Sequence, residues 1–215
     1  MDALANPGLL LPLLITVTVA LSYLANYYLV RLIPWKWYRV LVGPGIIVHE
    51  YAHAAGCALT GARIRQITVF EATGGRVVHE APRLPFGQAI ITLAPLLAAA
   101  GLTYGFFRLL VEDSRLLSPA GVLFGYLAAA LTVTMAPSQQ DLKVGMAALA
   151  GLSLFLGLAS LSEPASSYGE ALFGDAVTTV ARAIMFSLVI LLAITGLAMV
   201  AYLVRRPKRR PKPIE

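Results

Sequence analysis

Five long runs without a charged residue constrain this chain more than any other feature. They are Leu9–Val30, Gly87–Phe107, Leu116–Gln140, Val144–Ser162 and Ala183–Val204. An α-helix needs about 20 mostly apolar residues to cross the hydrocarbon core of a bilayer, and each run has about that length. Charged residues make up only 13% of the chain, about half of their share in an ordinary soluble domain. We therefore predict a membrane protein.

A sixth run, about Val40–Leu59, is equally apolar except for three ionisable residues near its centre. With it, the predicted fold class is an all-α multi-pass membrane protein with about six transmembrane helices. We expect residues 1–204 to form a single polytopic domain with its core at about 40–161, and 205–215 to form a basic tail. The sequence Gly43-Pro44-Gly45 predicts that the helix in this run begins near Gly45, because proline is best tolerated in the first turn.

The segment between the second and third predicted helices has the pattern of a short β-hairpin. "RIRQITVF" is rich in β-branched residues, "TGG" supplies turn residues, and "RVVHE" can return as the second strand. We expect this hairpin to be associated with the membrane. An edge strand could hold an unwound substrate segment through backbone hydrogen bonds, or the hairpin could lie at the interface without substrate contact; the sequence leaves both open.

The distribution of lysine and arginine predicts the orientation. With six crossings and a cytoplasmic amino terminus, 11 of the 17 basic residues fall on the cytoplasmic side, six of them in the tail. The tail therefore serves as a topology anchor next to an anionic leaflet, and we expect the lipid bilayer rather than a nucleic acid as its partner.

The three ionisable residues of the sixth run belong to the sequence His49-Glu50-Tyr51-Ala52-His53. This fits H-E-x-x-H, in which two histidines one helical turn apart offer their imidazoles to one metal ion and the glutamate lies beside it. Charged groups inside a bilayer are expensive and are functional candidates by default. We therefore predict one zinc ion bound by His49 and His53, with Glu50 as the general base that takes a proton from the attacking water.

A third ligand has to come from elsewhere in the chain. Glu71, His79 and Glu80 follow the motif closely, whereas Asp141 lies where Pro137 should interrupt the fourth helix. A carboxylate at a broken helix inside the bundle is tolerable if a metal ion neutralises it, so Asp141 is our preferred ligand. Cys57, one turn after His53, is expected to be a packing residue.

These residues resemble the site-2 protease type of intramembrane zinc metalloproteases. The resemblance covers about Val40 to Leu161 and rests on HEYAH, the β-prone loop after it and the distant aspartate. It implies that His49, His53 and Asp141 bind zinc, that Glu50 is the catalytic base and that the site opens toward the cytoplasm.

The aspartate motif departs from the pattern of that family. The family has an Asn-Pro pair before Leu-Asp-Gly, whereas this chain has Pro137-Ser138-Gln139-Gln140-Asp141-Leu142. The asparagine that would position substrate is absent, so Ser138, Gln139 or Gln140 would have to replace it. The chain looks like a small, divergent member.

The predicted function is a zinc endopeptidase that cleaves peptide bonds within or near transmembrane segments of other membrane proteins. Its partners would be a transmembrane protein or peptide substrate and the bilayer. Two alternatives belong to other classes: a catalytically silent adaptor that binds membrane helices, for which an intact Glu50 is unnecessary, and a metal transporter, which would need polar groups at several depths.

Overall fold

The computed structural model describes residues 7–71, 74–112, 117–160 and 163–205, and these form six helices and one hairpin. In chain order the elements are α1 (Pro7–Leu32), α2 (Trp35–Thr60), β1 (Ile64–Glu71), β2 (Gly74–His79), α3 (Gly87–Glu112), α4 (Pro119–Thr134), α5 (Gln139–Ser160) and α6 (Glu163–Arg205). Two helices are central: α2 packs against α3 and α4, and α3 also contacts α5 and α6. Helix α1 packs mainly against α6.

The predicted count of about six crossings is not confirmed. Within the described ranges, three segments are long and apolar enough to cross a bilayer: Leu11–Leu32, Gly87–Leu110 and Gly174–Arg205. A fourth results if α4 and the first part of α5 form one span, bent by 65°. Helix α2 is long enough, but its two histidines and its glutamate lower its hydropathy.

The bend between α4 and α5 follows from Pro137, as the sequence predicts. Proline has no N–H, so it cannot bond to the carbonyl of Val133 four residues earlier. That carbonyl instead accepts hydrogen bonds from Ser22 Oγ at 2.7 Å and Asn26 Nδ2 at 2.9 Å, and the Pro137 carbonyl accepts one from the Tyr23 hydroxyl at 2.5 Å. Three polar side chains of α1 therefore satisfy backbone groups that the break leaves free, as an apolar environment requires.

Helix α2 begins earlier than predicted, at Trp35 rather than near Gly45, and continues through Pro44. Pro44 cannot donate to the Val40 carbonyl, and the hydroxyl of Tyr126 approaches that carbonyl at 3.5 Å. A neighbouring helix thus offers the donor that proline lacks. The prediction failed because it considered only the helix itself.

The predicted hairpin is present, and both of its strands contact α2. Strands β1 and β2 pair antiparallel, with Ile67 opposite Val77. Val77 packs near Cys57 toward the end of α2, while Phe70, close to the turn, lies beside Gly43. Because an α-helix rises 1.5 Å per residue, the contacts from Gly43 to Cys57 extend over about 21 Å of α2.

Candidate metal centre

Helix α2 places His49, Glu50 and His53 near its middle. The two imidazoles lie one turn apart on one side of the helix, with ring centroids 4.9 Å apart and planes nearly perpendicular. Glu50 and His53 are buried, with exposed fractions of 5% and 4%. The spacing in the sequence therefore produces the paired imidazoles that it predicts.

Asp141, in the first turn of α5, meets both histidines. Its Oδ2 lies 3.2 Å from His53 Nε2 and 3.8 Å from His49 Nε2. Tetrahedral zinc with bonds of about 2.0 to 2.2 Å would hold two ligand atoms about 3.3 to 3.6 Å apart, and the two distances bracket that range. Among the described residues, these three form the group whose ligand atoms all lie within 4.8 Å of one another.

Ser138 fixes the position of Asp141. Its backbone N–H donates to Asp141 Oδ2 at 2.7 Å, and the Asp141 N–H donates to Ser138 Oγ at 3.1 Å. This reciprocal pair resembles a capping box, with the serine before the first turn of the helix and the acidic residue three positions later. The start of α5 therefore holds the carboxylate toward the two histidines.

Backbone carbonyls that the helices leave free orient both histidines. His53 Nδ1 lies 2.8 Å from the carbonyl of Ile91, which has no helical partner because residue 95, four positions later in α3, is a proline. His49 Nδ1 lies 2.7 Å from the carbonyl of Thr134, the last residue of α4. A carbonyl can only accept, so both Nδ1 atoms carry the proton.

The two Nε2 atoms are consequently the lone-pair donors of the site. His53 Nε2 is buried and makes no hydrogen bond, which is costly for a polar atom unless something else binds it. Two neutral imidazole nitrogens and a carboxylate oxygen are a donor set that suits zinc. The residues present therefore fit the metal ion that the sequence predicts.

Of the other candidate ligands, His79 and Glu80 are not among the residues whose ligand atoms converge within 4.8 Å. Glu80 pairs with Arg65, with Oε1 2.8 Å from Nη2, and His79 Nδ1 lies 2.7 Å from the Glu80 carbonyl. Cys57 is buried among apolar side chains, as expected. The side chain of Glu71 lies outside the part of the chain that the structure describes.

A small cavity of about 70 Å³ adjoins the centre. Glu50, His53 and Asp141 line it together with residues of β2, α3 and α5. Of the three residues considered for substrate positioning, Ser138 and Gln140 line the cavity, whereas Gln139 is not among its lining residues. His79 also lines it, from β2.

Gly75 of β2 is packed directly against Glu50. A Cβ atom at this position would overlap the Cγ and the carboxylate of Glu50, so any other residue would displace either Glu50 or β2. The hairpin therefore forms one wall of the cavity at the glutamate itself.

Sequence reasoning missed three contributors to the site: the Ile91 carbonyl, the Thr134 carbonyl and Gly75. Two prolines are the sequence signal for these carbonyls. Pro95 leaves the Ile91 carbonyl without a helical donor, and Pro137 ends α4 near Thr134. No comparable signal exists for Gly75, because its importance depends on how the hairpin lies against α2.

The helices and the centre define a class of protein: an integral membrane protein with a largely buried His-His pair, a half-buried aspartate beside it, a glutamate and a cavity. The Peptidase M50B-like family model matches residues 14–210. The chain therefore belongs to this family, which is of the site-2 protease type. No curated protein and no solved structure shows a significant match to it.

Proposed function

We propose that this protein is an intramembrane zinc endopeptidase, which hydrolyses peptide bonds within or near transmembrane segments of other membrane proteins. The observation that carries the proposal is the convergence of His49, His53 and Asp141 within 4.8 Å at a cavity that Glu50 also lines. Membership of a peptidase family supports the same reaction class.

In this proposal His49, His53 and Asp141 hold one zinc ion through two Nε2 atoms and Oδ2. A zinc ion bound there supplies a Lewis acid that activates water and polarises a carbonyl group. The carbonyls of Ile91 and Thr134 accept hydrogen bonds from the Nδ1 atoms. They thereby keep the imidazoles in the tautomer and orientation that metal binding requires. Ser138 does the same for the carboxylate.

Glu50 moves the proton of the reaction. As the water oxygen bonds to the carbonyl carbon of the scissile peptide, Glu50 accepts a proton from that water. It then passes the proton to the amide nitrogen as the C–N bond breaks, so that the products are a carboxylic acid and an amine. Burial beside Gly75 holds this carboxylate in one position and limits access of bulk water.

The substrate would be an extended segment rather than an intact helix, because the backbone of a helix is sterically protected from attack. Strand β2 lines the cavity with Gly75, Arg76 and Val77, so its edge is placed to hold such a segment by backbone hydrogen bonds. This favours the substrate-binding interpretation of the hairpin over a purely interfacial one.

The orientation with the site and the basic tail toward the cytoplasm belongs to the same proposal. It rests on the 11 of 17 basic residues on that side. Of the other two classes, a transporter would need ligand groups at several depths. An adaptor would have no use for a buried glutamate beside the ligands.

The test is zinc content and cleavage of a model transmembrane peptide by purified protein in detergent or liposomes. We expect about one zinc per chain in the wild type. Glu50→Gln should keep the zinc and lose cleavage by at least about 10³-fold, because it removes the general base. Asp141→Ala should lose most of the zinc, because two imidazoles alone bind it weakly.

Three outcomes would contradict parts of this proposal. Zinc retained in Asp141→Ala would exclude Asp141 as the third ligand. Cleavage that survives Glu50→Gln would exclude Glu50 as the base. A wild type that binds zinc but never cleaves would favour the adaptor, or the transporter if vesicles containing the protein take up metal.

A further inference from the structure

Thr92, in α3, carries a buried hydroxyl group that the fold does not use. The residue is 1% exposed, and its Oγ1 makes no hydrogen bond to any described residue. Threonines in helices commonly donate to the carbonyl three or four residues earlier, as Thr132 and Thr134 do here. A buried hydroxyl without a partner is costly, and among the described residues Thr92 shares this state with Thr18 and Thr103.

The position of Thr92 distinguishes it from the other two threonines. Its side chain lines the cavity that Glu50, His53 and Asp141 also line. The preceding residue, Ile91, holds His53 through its carbonyl, so the segment that carries the hydroxyl is fixed relative to the ligands.

Helix α5 is shaped to accommodate this side chain. A Cβ atom at Gly145 would overlap Thr92 Oγ1, so a glycine is what lets α5 cross α3 at this point. The hydroxyl therefore occupies a defined place between the two helices that bring Asp141 and the Ile91 carbonyl to the centre.

We propose that Thr92 is a further catalytic residue, whose hydroxyl donates a hydrogen bond to the carbonyl oxygen of the scissile peptide as negative charge develops on it. This deepens the proposed function and rests on it. A donor that is already in place in a site with little water stabilises such an oxygen strongly, and it does so mainly in the transition state.

The chain contains a matched control. Thr103 lies in the same helix, is 0% exposed and also has an unpartnered Oγ1, but it is not among the residues that line the cavity. Replacing either threonine by valine removes one unpaired buried hydroxyl with little change in volume. A difference in cleavage between the two variants would therefore arise from the position of Thr92 in the cavity.

The experiment compares Thr92→Val, Thr92→Ser and Thr103→Val with the wild type in cleavage of a model transmembrane peptide, together with zinc content and Tm. Thr92→Val should lower kcat by about 10- to 100-fold with KM changed by less than about threefold, because a contact made only in the transition state is lost. Thr92→Ser should retain most of the activity, since it keeps the donor. Thr103→Val should cleave like the wild type, and zinc content should be unchanged throughout.

A wild-type kcat in Thr92→Val would overturn the inference, and so would a Thr92→Ser variant as impaired as Thr92→Val, because shape rather than the hydroxyl would then matter. A rise in KM alone would also overturn the transition-state role. If Thr92→Val fails to fold, Thr92→Ala replaces it, with the same loss of kcat expected. In each of these failures Glu50→Gln remains inactive; cleavage by Glu50→Gln would instead overturn the proposed function itself.

Discussion

Gly75 is the residue at which the hairpin touches the proposed general base. Its hydrogen occupies the place where any side chain would meet the carboxylate of Glu50. Either β2 or Glu50 would have to move to admit a methyl group. Displacement of a catalytic group by even about 1 Å can cost about 10²-fold in rate.

We therefore expect Gly75→Ala to reduce peptide cleavage by about 10- to 100-fold while zinc content stays at the wild-type level, because the three atoms nearest to the added methyl group all belong to Glu50. Cleavage rate and bound zinc measured on the same preparation check this. Gly101→Ala is the control, since a Cβ atom there would meet nothing within 4 Å, and it should behave like the wild type. Unchanged cleavage in Gly75→Ala would show that the hairpin does not constrain Glu50.

The residues of the candidate metal centre could largely be selected from the sequence, whereas the groups that orient them could not. The spacing of His49 and His53 places them on the same side of a helix. Pro137 marks the break after which Asp141 lies in the first turn of the next helix. The contact between Gly75 and Glu50 joins a strand to a helix 25 residues earlier in the chain. No local pattern specifies how those two elements lie against each other.

At the scale of whole elements, helix α3 acts through a proline in its interior. Pro95 leaves the Ile91 carbonyl without a helical donor, and that carbonyl orients His53. An alanine at position 95 would bring an N–H group that competes with the imidazole for the same oxygen.

We expect Pro95→Ala to weaken zinc binding by about tenfold. This is the lower end of the loss of metal affinity that follows when a group that orients a metal ligand is removed. Its Tm in excess zinc should not fall, because alanine is a better helix former than proline. Competition with a chelator of known affinity measures the first quantity and thermal unfolding the second. Pro12→Ala, in the interior of α1, should leave zinc affinity unchanged; an equal effect in both variants would argue against the role of the carbonyl.

The break between α4 and α5 depends on α1. Ser22 and Asn26 both donate to the Val133 carbonyl, and an unsatisfied buried carbonyl costs roughly 1 to 3 kcal/mol. The double variant Ser22→Ala/Asn26→Leu should therefore unfold with a free energy lower by about 2 kcal/mol, measured by denaturant titration in detergent.

The control for this pair is Thr18→Val, one turn earlier in α1. Thr18 is equally buried, but its Oγ1 has no partner among the described residues, so its removal should leave stability unchanged or raise it. A double variant as stable as the wild type would mean that the break satisfies its backbone in another way.

Elements were predicted well where their own sequence carries the signal. They were predicted poorly where a contact with a neighbouring helix determines where the element begins. The composition of residues 64–79 was enough to predict the hairpin. The start of α2 was not predictable, because the hydroxyl of Tyr126 lies near the carbonyl that Pro44 leaves free, and that contact links residues 86 positions apart in the chain.

At the scale of the whole molecule, the metal ion would connect two separate parts of the bundle. Its ligands come from α2 and from α5, which are joined in the chain only through α3 and α4. A ligand that binds only the folded protein stabilises it, by about 2.7 kcal/mol at a concentration 100 times its Kd.

Removal of zinc by a chelator should therefore lower the Tm of the wild type by several degrees, and added zinc should restore it. Asp141→Ala should already have the lower Tm and should respond little to either treatment. Thermal unfolding of both proteins with and without chelator checks this. A wild-type Tm that does not depend on zinc would indicate that the metal does not link the two helices.

The predicted number of about six crossings stays unconfirmed. Among the described residues, three helices qualify by length and hydropathy, and the broken pair α4 and α5 would form a fourth span. The functional helix α2 fails that criterion because it carries His49, Glu50 and His53. The ionisable side chains of the candidate metal centre are thus the ones that lower the hydropathy of the helix that carries them.

The hairpin alongside α2 also has a consequence for biogenesis. In this two-stranded hairpin the outer edges have backbone groups without a partner strand in the described part of the chain, so the hairpin cannot enter the bilayer as an independent helix would. We therefore expect the hairpin to dock only after α2, α3 and α4 have assembled, which makes the wall beside Glu50 one of the last parts of the protein to form. A newly made chain would accordingly remain inactive until its bundle is complete.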